Sequence, residues 1–286
     1  MPHNKKSEGI HNAKRRSYWV DPDTFLKGNI SLCDHAKFKL LYNELAPIFD
    51  LAIARDTKRE VNFLSEIIKK SLPNAKKILD LGCGIGRHDE LLNKDHTYKV
   101  TGIDSSRRMI EHAKMRCPDC RFLVMDFRNI LLKVKFDAAL CMWTTFNYLS
   151  DLKEVENFFK AVRKVLCKNG LLIIDMNNYG RSENSSYTRN ASNEKYGVTV
   201  DITKKSFGNV NEALYSYLVK DLKTGKEYRF FDQELNRIYT LEHVIAASKP
   251  YFKMRDCFGD YDSTNKFDLS RSERIVMILQ KKGSNL

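Results

Sequence analysis

Three carboxylates and a run of alternating glycines are the residues of this chain best suited to chemistry. Gly82, Gly84 and Gly86 stand at every second position after the apolar run Ile78-Leu79-Asp80-Leu81. Glycine takes backbone angles closed to other residues and lets bare backbone approach a ligand. Residues 87–92 then read as a helix start, so strand, glycine loop and helix together make a nucleotide-binding turn. Asp104 closes a second apolar strand, Val100-Thr101-Gly102-Ile103. A carboxylate at that point can hold both hydroxyls of a ribose. A dinucleotide fingerprint would need glycine at position 87, and the residue there is Arg87, too large to sit beside a pyrophosphate. Ser105 or Ser106 can cap the next helix, which turns Met109 back toward the loop. A third apolar strand ends at Asp126-Phe127. Its carboxylate can accept from an adenine amino group, and the Phe127 N–H can serve a ring nitrogen.

These residues need a frame. Apolar runs at 78–81, 100–104, 121–125, 136–141 and 171–176 alternate with helical segments. That alternation is the signature of a parallel sheet with helices on both faces. Ligands in such sheets sit beyond the carboxyl ends of the strands. Asp80–Gly86, Asp104, Asp126, Trp143 and Asn177 all fall at those ends. Before the first strand, 34–56 reads as a helix broken at Pro47, and 57–72 as a second helix. A helix over 151–167 stops at Gly170.

The pattern changes after Asn178. Residues 179–195 are polar and turn-rich and read as a mobile loop. Three strands follow near 196–205, 211–221 and 227–239, rich in tyrosine and phenylalanine. They read as a small inserted antiparallel sheet, followed by a helix at 240–250 and closing strands at 253–260 and 274–280. The expected organisation is therefore a basic, flexible tail at 1–33, a main domain at 34–178 with 239–286, and a lid at 179–238.

The totals set bounds. The chain has 286 residues, suited to one large α/β domain with an insertion. Net charge is +13, part of it in a tail that sets Lys5, Lys6, Lys14, Arg15 and Arg16 against Glu8. That balance permits an anionic partner without demanding one. No apolar run approaches the ~20 residues of a membrane span, and no apolar leader precedes the tail; the expectation is a cytoplasmic protein. The 7 cysteines are scattered and odd in number. Cys117-Pro118-Asp119-Cys120 lacks the second pair that a zinc site would need.

Ile78–His88, Val100–Ser106, Phe136-Asp137-Ala138-Ala139 and Gly170–Asp175 together resemble the class I S-adenosylmethionine (SAM)-dependent methyltransferases. The resemblance implies a Rossmann-like, seven-stranded, mostly parallel sheet of order 3-2-1-4-5-7-6, its seventh strand antiparallel, with helices on both faces and a small inserted antiparallel sheet. It implies SAM as cofactor and S-adenosylhomocysteine as product. The cofactor residues are then Asp80, Gly82, Cys83, Gly84, Gly86, Asp104, Ser105, Met109, Asp126, Phe127 and Met142. A closer similarity is to small-molecule N-methyltransferases of the glycine and amino-sugar type. It rests on Tyr42–Asp50, Gly86-Arg87-His88, the Trp143–Leu149 turn, the inserted sheet and the ending Cys257–Asp262. Two departures stand out: Thr144 where relatives often carry asparagine, and Phe49 where they often carry tyrosine.

The expected substrate contacts are Phe49, Trp143, Thr144, Phe146, Asn178, Tyr179, Arg181, Tyr215, Tyr217 and Arg237. The expected acceptor is a small molecule, an amine in the first instance, with an anionic one permitted by the net charge. No residue stands out as a general base, since a deprotonated amine needs none. Alternatives are an RNA methyltransferase, suggested by the charge, and a SAM-binding protein without catalysis. Against RNA, the turn after the fourth strand, Met142-Trp143-Thr144-Thr145, lacks the prolines usual in enzymes acting on exocyclic base amines. The assembly expected is a monomer or a homodimer, and no metal is expected.

Overall fold

A computed structural model describes residues 40–178 and 184–283. The predicted tail at 1–33, the first turns of the predicted helix at 34–39, and the site candidates Tyr179 and Arg181 lie outside the described residues.

The main sheet forms from β1 (Lys77–Leu81), β2 (Lys99–Asp104), β3 (Arg121–Val124), β4 (Phe136–Cys141), β5 (Leu166–Asn177), β10 (Phe252–Gly259) and β11 (Arg274–Lys281). Its order is β10-β11-β5-β4-β1-β2-β3, which is the order expected from the sequence. β1 to β5 pair in parallel, and β11 enters antiparallel beside β5. β1 shows why the sheet holds helices on both faces: Ile78 points into one core, Leu79 and Leu81 into the other, and all three are buried. On one face lie α1 (Thr57–Ser71), α2 (Arg87–Lys94) and α3 (Arg107–Arg116). On the other, α4 (Leu152–Val165) presents Val155, Phe158, Phe159 and Val162 at helical spacing. Asp56 and Asp151 cap α1 and α4 by accepting the N–H of Arg59 and Glu154.

A second sheet of order β6-β7-β8-β9 comprises β6 (Ser185–Ser192), β7 (Tyr196–Phe207), β8 (Val210–Asp221) and β9 (Glu227–Arg237), all antiparallel. After it comes α5 (Leu241–Ser248). β6 occupies part of the stretch expected to be a loop. Its sequence, Ser-Ser-Tyr-Thr-Arg-Asn-Ala-Ser, has no apolar alternation, because it is an edge strand held by backbone pairing to β7. The inner face of the sheet carries Val198, Val200, Ile202, Ala213, Tyr215, Tyr217 and Val219.

That inner face packs on Leu41, Leu45, Ile48 and Ala52. The predicted long helix here is a correction. Residues 40–45 form turns, Ala46–Ile48 a short 3-10 turn and Phe49–Ala52 a single helical turn. Helical spacing of apolar residues is present, but the carboxylate of Asp232 in β9 takes the Leu40 and Leu41 N–H groups at 3.1 and 3.2 Å. The segment is therefore folded between the glycine loop, through Ala46, Ile85 and Met109, and the second sheet.

Gly102 in β2 sits opposite Asp80 of β1. A Cβ there would lie 2.8 Å from both Cys83 Sγ and the Phe122 ring. Gly102→Ala is expected to destabilise the fold by about 1–3 kcal/mol through overpacking, read as a lowered urea midpoint at unchanged slope.

Candidate functional site

The glycine loop leaves β1 with Gly82, Gly84 and Gly86 all at positive φ, 77°, 55° and 75°. The Gly82 and Cys83 N–H groups donate to the Ile103 carbonyl at 2.8 and 3.0 Å, tying the loop to the end of β2. Asp104 then accepts the Gly84 N–H at 3.0 Å and the Ser106 N–H at 2.8 Å. Ser106 caps α3 through the Met109 N–H, which buries Met109 against Ala46 and Ile85. Ser105 is exposed on the rim, while Cys83 and Met142 are buried in the core just beneath it.

Asp80, Asp104 and Asp126 stand at or beyond the carboxyl ends of β1, β2 and β3, which are neighbours. They therefore meet along one rim. Burial raises Asp104 to about 6, the Ser106 and Gly84 N–H groups pull it down, and the charges of Asp80 and Asp126 push it up again. Burial would raise Asp126 too, but the Arg128 guanidinium, 2.7 Å away, holds it below the ordinary range. Asp80 is buried beside Asp89 of α2, and neither carboxyl accepts a bond from a conventional donor. Burial raises both, most of all Asp89, whose carboxyl the neighbouring Asp80 charge pushes up further. Phe127 lays its ring edge-on against Phe158, 5.9 Å between centroids.

A nucleoside would fit this rim. The position of Gly84 is open, for a Cβ there would meet nothing within 4 Å. A carboxylate has about four lone-pair sites, so the two backbone bonds to Asp104 leave it able to accept ribose hydroxyls. Gly82 is tighter: a Cβ would fall 2.5 Å from Thr145 Cγ2.

The turn after β4 is strained and heavily braced. Trp143 and Thr144 both take left-handed φ, 52° and 66°. Asp175 accepts the Trp143 N–H at 2.8 Å and pairs with both guanidinium arms of Arg274, at 2.8 and 2.6 Å. Arg274 also donates to the Thr144 hydroxyl at 3.3 Å. The Trp143 indole N–H donates to Glu60 at 2.9 Å, and the Arg55 guanidinium lies 3.5 Å over the indole ring. Glu60 bonds His88 at 2.8 Å, so His88 is a packing partner rather than a rim residue. Burial lowers Arg55 to about 10, with Glu60 opposing.

Several expected substrate contacts have structural partners of their own. Phe146 is fully buried among Phe158, Phe159 and Tyr239, because the 3-10 turn at 145–148 directs its ring into the core. The Asn178 amide donates to the carbonyls of Leu269 and Ser272 and so anchors the 269–272 loop. Arg237 ends β9, and its carbonyl accepts from Asn147 at 2.7 Å. Tyr215 and Tyr217 stack at 5.9 Å on the inner face of the second sheet. Phe49 packs beside Tyr42, with Arg87 over its ring. A surface hollow of about 510 Å³ bounded by Phe63, Glu66 and Tyr261 is lined by none of the predicted site residues. Glu60, Arg55, Asp175 and Arg274 were silent in the sequence, since the brace joins segments near 55–60, 143, 175 and 274 that no local spacing connects.

Residues 78–170 match the Methyltransferase domain family. Over 138 residues the chain is 25% identical to dTDP-3-amino-3,4,6-trideoxy-alpha-D-glucopyranose N,N-dimethyltransferase of Streptomyces venezuelae, covering 48% of this chain and 58% of that protein. A S-adenosylmethionine-dependent methyltransferase from Clostridium acetobutylicum ATCC 824 superposes with TM-score 0.71 at 24% identity, over 85% of this chain and 99% of that one. SAM-bound CalS10, an amino pentose methyltransferase from Micromonospora echinaspora, gives 0.67 at 21% identity, over 80% and 93%. The chain spans about half the length of the curated relatives it matches. The fold is the Rossmann-like methyltransferase fold. The chain resembles class I SAM-dependent methyltransferases of the amino-sugar type, for which SAM is the cofactor.

An ionised Asp104 would accept ribose hydroxyls most strongly, since protonation removes its charge and part of its acceptor capacity. Its raised pKa of about 6 puts the loss of that form within reach of ordinary buffers. Affinity for SAM is expected to fall as pH drops through 6, roughly tenfold between pH 8 and pH 5. Calorimetry on Asp104→Asn should give weaker binding with no such slope. The same raised carboxyl costs fold stability above pH 6, and that cost disappears as pH falls toward 4.

Proposed function

We propose that this chain is a SAM-dependent methyltransferase that acts on a small-molecule amine, with a nucleotide-linked amino sugar as the leading acceptor class. One observation carries the reading. A single carboxylate, Asp104, ties a positive-φ glycine loop to a helix start at the carboxyl edge of a sheet with the methyltransferase strand order. The amino-sugar class is supported by the relatives, among them dTDP-4-amino-2,3,4,6-tetradeoxy-D-glucose N,N-dimethyltransferase. The overall charge of +13 suits an acceptor with an anionic nucleotide portion.

SAM supplies a methyl group already activated on a cationic sulfur. The chain's own work is then to bind, orient and exclude water. The backbone of Gly82–Gly86 cradles the methionine and ribose portions. Asp104 receives the ribose hydroxyls, and Asp126 with the Phe127 N–H receives the adenine edge. The braced turn at Trp143 and Thr144 walls the site at the end of β4. The second sheet, resting on residues 41–52, covers the acceptor side.

Incubation of the full chain with methyl-labelled SAM and dTDP-3-amino-3,6-dideoxyglucose, with bulk tRNA in parallel, tests this. Labelled amino sugar and stoichiometric S-adenosylhomocysteine are the expected outcome. Label in tRNA alone would overturn the acceptor assignment.

A further inference from the structure

Glu234 lies on β9, two residues from Asp232, so both carboxylates share the inner face of the second sheet. Asp232 has a structural task, the two N–H groups of Leu40 and Leu41. Glu234 is half-buried and its partners are hydroxyls: Tyr148 donates to one oxygen at 2.5 Å and Tyr215 to the other at 2.8 Å. Tyr42 lies 3.0 Å from the Tyr148 hydroxyl, and Tyr217 stacks on Tyr215. Among the described residues Glu234 forms no ion pair. A carboxylate withdrawn from water into an apolar face is costly unless a cation joins it.

Resting on the amine reading above, we propose that Glu234, ringed by Tyr42, Tyr148 and Tyr215, binds the ammonium group of the methyl acceptor. The two hydroxyl bonds leave lone pairs on the carboxylate for a cation's N–H groups. Tyrosine faces add cation–π attraction. The tyrosine hydroxyls stay neutral, because burial and the Glu234 charge raise Tyr148 and Tyr215 well above their ordinary range. The position also suits methyl transfer, once the bound ammonium passes a proton to Glu234 and frees the nitrogen lone pair that attacks the methyl carbon as the carbon–sulfur bond breaks. The Tyr42 ring lies 6.0 Å from Phe49, and its backbone carbonyl accepts from the Ser106 hydroxyl at 2.6 Å. Ser106 is the residue whose N–H binds Asp104. From Glu234 the contacts run through three residues, Tyr148, Tyr42 and Ser106, to the carboxylate of Asp104.

Methylammonium chloride is the probe, titrated into the full chain holding S-adenosylhomocysteine, against sodium chloride at equal ionic strength. Tyrosine difference absorbance reads binding. Saturable binding by wild type is expected, weakened about tenfold or more in Glu234→Gln and in Tyr148→Leu but little in Tyr148→Phe. Affinity for S-adenosylhomocysteine should stay within about threefold, showing that the variants fold. No saturable binding by wild type, or equal binding by Glu234→Gln, would overturn the proposal. Amine methylation with the same kcat/KM in Glu234→Gln would overturn it while leaving the amine reading intact. Glu234-dependent methylammonium binding without methylation of any amine would support the cation site and count against the acceptor reading.

Discussion

Asp104 is the joint on which the site depends. Its carboxylate takes one N–H from the glycine loop and one from the start of α3. Those two bonds fix how far the loop stands from the second strand, and so the width of the space a nucleoside would fill. Charge-assisted bonds of this kind are worth more than neutral ones, on the order of 1.5–3 kcal/mol each. The loop's positive φ values, open only to glycine at low cost, are stable here because Asp104 and the Ile103 carbonyl hold both sides of the turn.

Around that joint the chain arranges charge unevenly. The whole molecule is basic at +13, yet Asp80, Asp104, Asp126, Asp232 and Glu234 lie on the rim or the inner face of the lid sheet. Asp126 is offset by Arg128, and burial raises both Asp80 and Asp89. The Trp143 turn follows β4. It is held in strained geometry by Glu60, Asp175, Arg55 and Arg274, two charges of each sign, so that the brace adds little net field.

The sequence was legible where one short segment carries a whole structural task. Ile78–Gly86 contains strand and glycine turn in consecutive residues, and Val100–Asp104 is strand throughout. Hence the sheet order came out as expected. It was illegible where the deciding partner is remote. The segment 40–52 has helical spacing but yields its N–H groups to Asp232, some 190 residues on. β6 is polar on both faces and exists only through its pairing with β7. Phe146 looked like a wall because it follows β4, but the turn rotates it into the core. Glu234 carried no signal at all, since its meaning comes from two tyrosines on other elements.

The central claim is that Asp104 recognises the sugar of an activated nucleoside. A paired calorimetric titration addresses it most directly, with S-adenosylhomocysteine and its 2′-deoxy analogue against wild type and Asp104→Ala. The account predicts that wild type loses at least about tenfold in affinity when the hydroxyl is removed, and that Asp104→Ala scarcely distinguishes the two ligands. Equal discrimination by both proteins would contradict it.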